Sequence, residues 1–88
     1  MDEASSGGMT VFPNPVTGNS FFIRTGSGPV SKDLPLRLYS INGQLLISKW
    51  IKKGQSGLIE IKLTSAIASG VYVVQLDDKH TVKVIIRK

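Results

Sequence analysis

The sequence predicts an all-β fold, an immunoglobulin-like antiparallel β-sandwich of about seven strands, on three observations. Apolar residues recur with a period of two and not of 3.6. Clusters of turn-forming residues, "PNPVTGN", "GSGP", "INGQ", "KKGQSG" and "DDKH", separate the apolar runs at short intervals. The chain of 88 residues, 41% hydrophobic, is long enough for one modest core and too short for two domains.

Taken in order, the first strand is expected at Thr10 to Phe12 and ends where Pro13 and Pro15 lack the amide hydrogen that a central ladder needs. A second is expected at Ser20 to Thr25. The third, Leu34 to Tyr39, sets Leu34, Leu36 and Leu38 against Pro35, Arg37 and Tyr39. "SINGQ" then reads as a turn in which Asn42 or Gly43 takes positive φ, leading into a fourth strand at Gln44 to Ile51. In the fifth, Leu58 to Leu63, Ile59, Ile61 and Leu63 alternate with Glu60 and Lys62. "TSAIASG" has the only helical leaning; it is expected to be a short crossing turn that tucks Ile67 under the sandwich. Gly70 would hold a backbone angle that a residue with Cβ resists, permitting a sharp entry into Val71 to Leu76. The polar turn "DDKH" leads to the last strand, Thr81 to Arg87, where Val82, Val84 and Ile86 alternate with Lys83, Ile85 and Arg87.

Strand parity gives a core that includes Phe21, Ile23, Leu36, Leu38, Ile59, Ile61, Tyr72, Val74, Leu76, Val82 and Val84. Trp50, flanked by Lys49, Lys52 and Lys53, is expected to be half-buried at the core edge in preference to standing free as a sugar-stacking aromatic.

Composition narrows the function. The absence of cysteine removes disulfide and thiol chemistry and leaves the compartment open. No apolar run approaches the roughly 18 residues of a membrane span, and "MDEASSGGMT" lacks the basic and apolar regions of a signal peptide. An export signal would therefore lie elsewhere, on a larger precursor. The net charge of +5 sits wholly in the second half: beyond Gln44, eight cations face only Glu60, Asp77 and Asp78. Such a face can steer an acidic partner, a phosphate or a lipid headgroup, or can simply guard exposed strand edges against aggregation.

Residues for catalysis are scarce. His80 has no second imidazole or thiol to build a metal site or an activated nucleophile. Asp77 and Asp78 are adjacent and would point to opposite faces, a poor geometry for an acid and base pair. "GSG" at Gly26 to Gly28 lacks the lysine and helix of a phosphate loop, and Ser20 and Ser69 have no base in any motif. The expectation is a non-enzyme without cofactor or metal. Nucleic acid is not the expected partner either, since the cations are not interleaved with stacking aromatics and no recognition helix is available.

"VFPNPVTGN", "LRLYSINGQLL", "LTSAIASGVYVVQL" and "TVKVIIRK", in this order and spacing, resemble the C-terminal sorting domain of cargo proteins of the type IX secretion system of Bacteroidetes. The likeness covers residues 9–88, with Pro13, Asn14, Pro15, Gly43, Gly70 and Tyr72 at motif positions. Ser40 stands where the family more often has aspartate, and "GSGPVSKD" lengthens the second connection. The resemblance implies a non-catalytic address at the end of a larger cargo protein, folded in the periplasm and recognised by an outer-membrane translocon on the way to the cell surface or the extracellular space. It also implies removal by a sortase-like peptidase that attaches the cargo to anionic lipopolysaccharide. Residues 9–88 would then be the sorting domain, and residues 1–8 a linker or appended segment. Gly70, Lys83, Arg87 and Lys88 are the candidate translocon contacts, the three cations projecting to solvent. The other reading is an immunoglobulin-like accessory module that mediates adhesion or binds polysaccharide through Trp50, Tyr39 or Tyr72.

Overall fold

A computed structural model describes residues 4–6, 9–26 and 28–88. Two antiparallel sheets face each other across one core, and no helix occurs among the described residues. The strands are β1 (Ala4–Ser6), β2 (Met9–Phe12), β3 (Ser20–Arg24), β4 (Leu34–Ser40), β5 (Leu45–Ile51), β6 (Leu58–Lys62), β7 (Gly70–Leu76) and β8 (His80–Ile86). The first sheet has the order β1-β2-β3-β6 and the second β5-β4-β7-β8. Strands β2 to β8 are the predicted seven; β1 was not predicted and pairs with β2, Ala4 opposite Val11.

Alternation sorts the residues as parity requires. All the core residues expected from the sequence are buried, from Phe21, Ile23 and Val84 at 0% exposure to Tyr72 at 9%. The core also takes Met9, Val11, Val16, Val30, Ile51, Leu63, Ile67 and Ile86. Ile67 reaches it from the crossing between β6 and β7, where a tight turn is closed by its own amide donating to the Thr64 carbonyl at 3.1 Å. No polar or charged residue is buried among the described residues. Stability is therefore carried by apolar contact, at roughly 25 cal/mol per Å² of apolar surface removed from water.

Turn chemistry fixes the hairpins. Between β4 and β5 the Gly43 amide donates to the Ser40 carbonyl at 2.9 Å, and Gly43 takes φ of 89°. The Ser40 hydroxyl accepts the Gln44 amide at 3.1 Å, a role that an aspartate carboxylate could also fill. Between β7 and β8, Asp77 and Asp78 both have φ of 56° and the Lys79 amide donates to the Leu76 carbonyl. This is the left-handed pair of a primed turn, which aspartate tolerates better than most residues. Their carboxylates consequently leave the ladder and meet Lys32 at 3.2 Å and Arg37 at 2.8 Å.

Strand β5 carries a bulge that alternation does not announce, and one expectation on it, at Trp50, is corrected. The register between β4 and β5 shifts at Leu38/Tyr39, so Leu38 faces Ile47 while Tyr39 faces Leu45. Leu46 is the extra residue of this bulge, and both Leu45 and Leu46 are exposed. Trp50 is 55% exposed and not half-buried. It lies on the outer face of an edge strand opposite Pro35, where no second layer covers it, and the Lys52 ammonium lies 5.8 Å from its ring.

Candidate recognition surface

The candidate surface grows out of β8. Val82, Val84 and Ile86 are buried, so the pleat turns Lys83, Ile85 and Arg87 to the outside, where all three are exposed. The ion pairs among the described residues join Lys32 to Asp77, Arg37 to Asp78 and Lys52 to Asp33. Neither Lys83 nor Arg87 takes part in them.

Lys88 behaves differently from the expectation that it projects freely. Its amide donates to the Ser69 hydroxyl at 2.7 Å and its ammonium donates to the Thr64 carbonyl at 2.7 Å. The side chain is thus drawn back over the crossing that precedes β7. Gly70 also differs from expectation. It is already extended, paired with Ile86, and a Cβ built on it would meet the Tyr72 ring at 3.6 Å, an ordinary contact. The change of direction is completed in residues 64–69, so no left-handed angle is needed at Gly70. Tyr72 anchors that crossing instead: its ring is buried and its hydroxyl donates to the Ala68 carbonyl. A tyrosine near the start of this strand that bonds back to the preceding backbone is the corner device of immunoglobulin-like sandwiches.

The motif residues Pro13, Asn14 and Pro15 lie against the outer edge of β8. Both prolyl bonds are cis. The Asn14 side-chain amide donates to the Lys83 carbonyl at 3.0 Å and accepts the Ile85 amide at 3.0 Å, doing for that edge what a neighbouring strand's backbone would do. Val16 continues the edge as a parallel bridge. Its amide donates to the Ile85 carbonyl at 2.7 Å, and its carbonyl accepts the Arg87 amide at 2.8 Å. The connection between β2 and β3 therefore crosses from the first sheet to the second and closes the edge of β8 from Lys83 to Arg87. Sequence reasoning took Pro13 and Pro15 as strand ends and gave Asn14 no structural task. The missing signal was the partner, 69 positions away.

The residues of the polysaccharide alternative do not form one platform. Tyr72 is buried on the inner face of the second sheet, while Tyr39 and Trp50 lie on its outer face, separated by Arg37 and Ser48. On the outer face of the first sheet the Phe12 and Phe22 rings stack at 5.7 Å, and the Arg24 guanidinium lies 5.1 Å from the Phe12 ring. His80 pairs with Leu76 at the head of the β7–β8 hairpin. Among the described residues no three of His, Cys, Asp and Glu could hold a metal ion.

Comparison with family models matches residues 10–88 to the secretion system C-terminal sorting domain. Comparison with curated proteins and with solved structures gave no match.

Proposed function

Because this chain belongs to the family of secretion system C-terminal sorting domains, and so serves as a sorting signal for type IX secretion, we propose that it is read as a folded address through the outer face of β8. Lys83 and Arg87 are the primary contacts for the outer-membrane translocon, with Lys88 and Gly70 beside them at the end of the strand. The domain, residues 9–88, is a substrate and not a catalyst. An upstream cargo is joined ahead of the domain, residues 1–8 being a linker or appended segment of which Ala4–Ser6 pairs with β2, and the whole folds in the periplasm before passing to the cell surface. A sortase-like peptidase then removes the domain and attaches the cargo to anionic lipopolysaccharide.

The observation that carries this reading is the closed edge. Lysines on an edge strand usually serve as guards of unpaired backbone. On β8 that backbone is already engaged between Lys83 and Arg87 by Asn14 and Val16. Two exposed cations on a strand whose edge is paired are free for another task, and contact with an acidic partner is what such rim charges do best.

The test fuses the 88-residue chain behind an inert periplasmic reporter in a type IX-competent bacterium. A Lys83→Ala, Arg87→Ala variant should change stability by no more than about 0.5 kcal/mol, because neither side chain is buried, yet leave the reporter in the periplasm. Normal export of that folded variant would remove the two cations from the recognition surface.

A further inference from the structure

The outer face of the second sheet is polar along the row Ser48, Arg37, Gln75 and Thr81, but the part beside that row is not. Tyr39 stands opposite Leu45 on one side and opposite Val73 on the other; Val73 in turn stands opposite Lys83, and Val71 opposite Ile85. Paired residues share a face, so an apolar stripe runs across all four strands and ends at the cations of β8. Leu45 is 48% exposed, and Val71 and Ile85 are 39% exposed. Contiguous exposed apolar surface of this kind, rimmed by charge, marks an interaction site more often than chance.

We infer that this stripe and the two cations form one docking surface for a protein partner whose own surface is apolar at the centre and carboxylate-bearing at the rim. The inference rests on the sorting reading and deepens it by giving the partner's chemistry. Charge supports a partner with carboxylates. Asp77 and Asp78, at the tip of the β7–β8 hairpin, are held by Lys32 and Arg37. Lys83 and Arg87, at the other margin, have no ion-pair partner among the described residues. Geometry supports an apolar centre. Lys83 and Ile85 are separated by one residue on the same face of β8, so a group that reaches Lys83 also covers Ile85 and Val71. Burial of such a centre supplies affinity, while the cations supply encounter rate and register.

The test replaces the stripe and leaves the charges. A Val71→Thr, Ile85→Thr variant keeps β-branched residues on the strands and retains Lys83 and Arg87. A Leu45→Gln variant alters the stripe at its far end, on a different strand. Leu58→Thr, at an apolar position of the first sheet with 49% exposure, is the control. Each is carried in the full chain behind the periplasmic reporter, with thermal melts of the purified chain. The expected result is about a tenfold fall in exported reporter for the stripe variants whose melts are retained, and less than about a twofold change for the control, as truncation at the centre of an interface predicts. Export of either folded stripe variant at the wild-type level, with the wild-type fusion exported, would overturn the docking surface and leave the sorting reading standing. Failure of the wild-type fusion itself would overturn both. Sedimentation with phosphatidylglycerol vesicles that is abolished by Val71→Thr, Ile85→Thr would overturn the protein partner in favour of a lipid surface.

Discussion

The two edges of the second sheet are treated in opposite ways. Strand β8 has its outward backbone engaged by the Asn14 amide and by Val16, so that from Lys83 to Arg87 it is no longer a free edge. Strand β5, at the other margin, has no such cover: among the described residues, the hydrogen bonds outside the ladders leave Leu45 to Ile51 untouched. Its sequence, "LLISKWI", combines exposed Leu45, Leu46 and Trp50 with a single cation, Lys49. Lys49 stands opposite Leu36 on the inner face, an inward-pointing charge on an edge strand. That placement is a recognised obstacle to strand addition, because a strand added beside β5 would enclose the ammonium between the sheets. The contrast separates two uses of lysine that composition alone could not distinguish. Lys49 blocks pairing where pairing is possible, and Lys83 is displayed where pairing is already complete.

The comparison can be broken from either side. Leu38→Ala sets the scale, since Leu38 lies between the two edges on a central strand, paired with Ile47 and with Val74, and is 2% exposed. Its loss should lower stability by about 2 to 5 kcal/mol, read as the midpoint shift in a urea titration; an unchanged midpoint would contradict the core drawn here. Next in size is Asn14→Ala. Removing both bonds to β8 should cost about 1 to 2 kcal/mol, as solvent-accessible hydrogen bonds do, and should speed hydrogen exchange at the Ile85 amide while the Tyr72 amide stays protected. Equal exchange at Ile85 in the two proteins would show that the edge is closed by Val16 alone. The smallest effect on stability belongs to Lys49→Val, within about 0.5 kcal/mol. Its expected signature is concentration-dependent association in sedimentation velocity, from an edge stripped of its only charge. A variant that stays monomeric at high concentration would show that the bulge at Leu46 is sufficient protection.

How far the molecule could be read from its sequence depended on whether the controlling contact was local. Alternation within a strand is a local property, and every core residue chosen by parity in β3, β4, β6, β7 and β8 is buried. Met9, Val11 and Val16 escaped notice because the segments on either side of Pro13 are too short to establish a parity. Trp50 was misjudged for a different reason: whether a strand is an edge strand is decided by sheet order, which no window of residues contains. The two leucines at the start of β5 resemble core residues until the bulge puts both outside. Gly70 was credited with a strained angle because a glycine before a strand so often marks a turn, whereas here the turn is finished before it. At the candidate surface the cations were legible through the β8 alternation. The closure of that edge was not, since Asn14 and the groups it serves lie at opposite ends of the chain.

That last contact also bears on when the domain can fold. Non-local pairings impose their loop-closure cost before they return any stability, and chains dominated by them fold slowly. Here the segment after β2 can engage its partners only when β8 is present, and Val16, wholly buried, has no other strand to pair with. A chain still emerging, or one cut before β8, would leave Val16 and the open edge of β7 without a partner. The connection between β2 and β3 can therefore settle into its native place only once β8 is paired with β7.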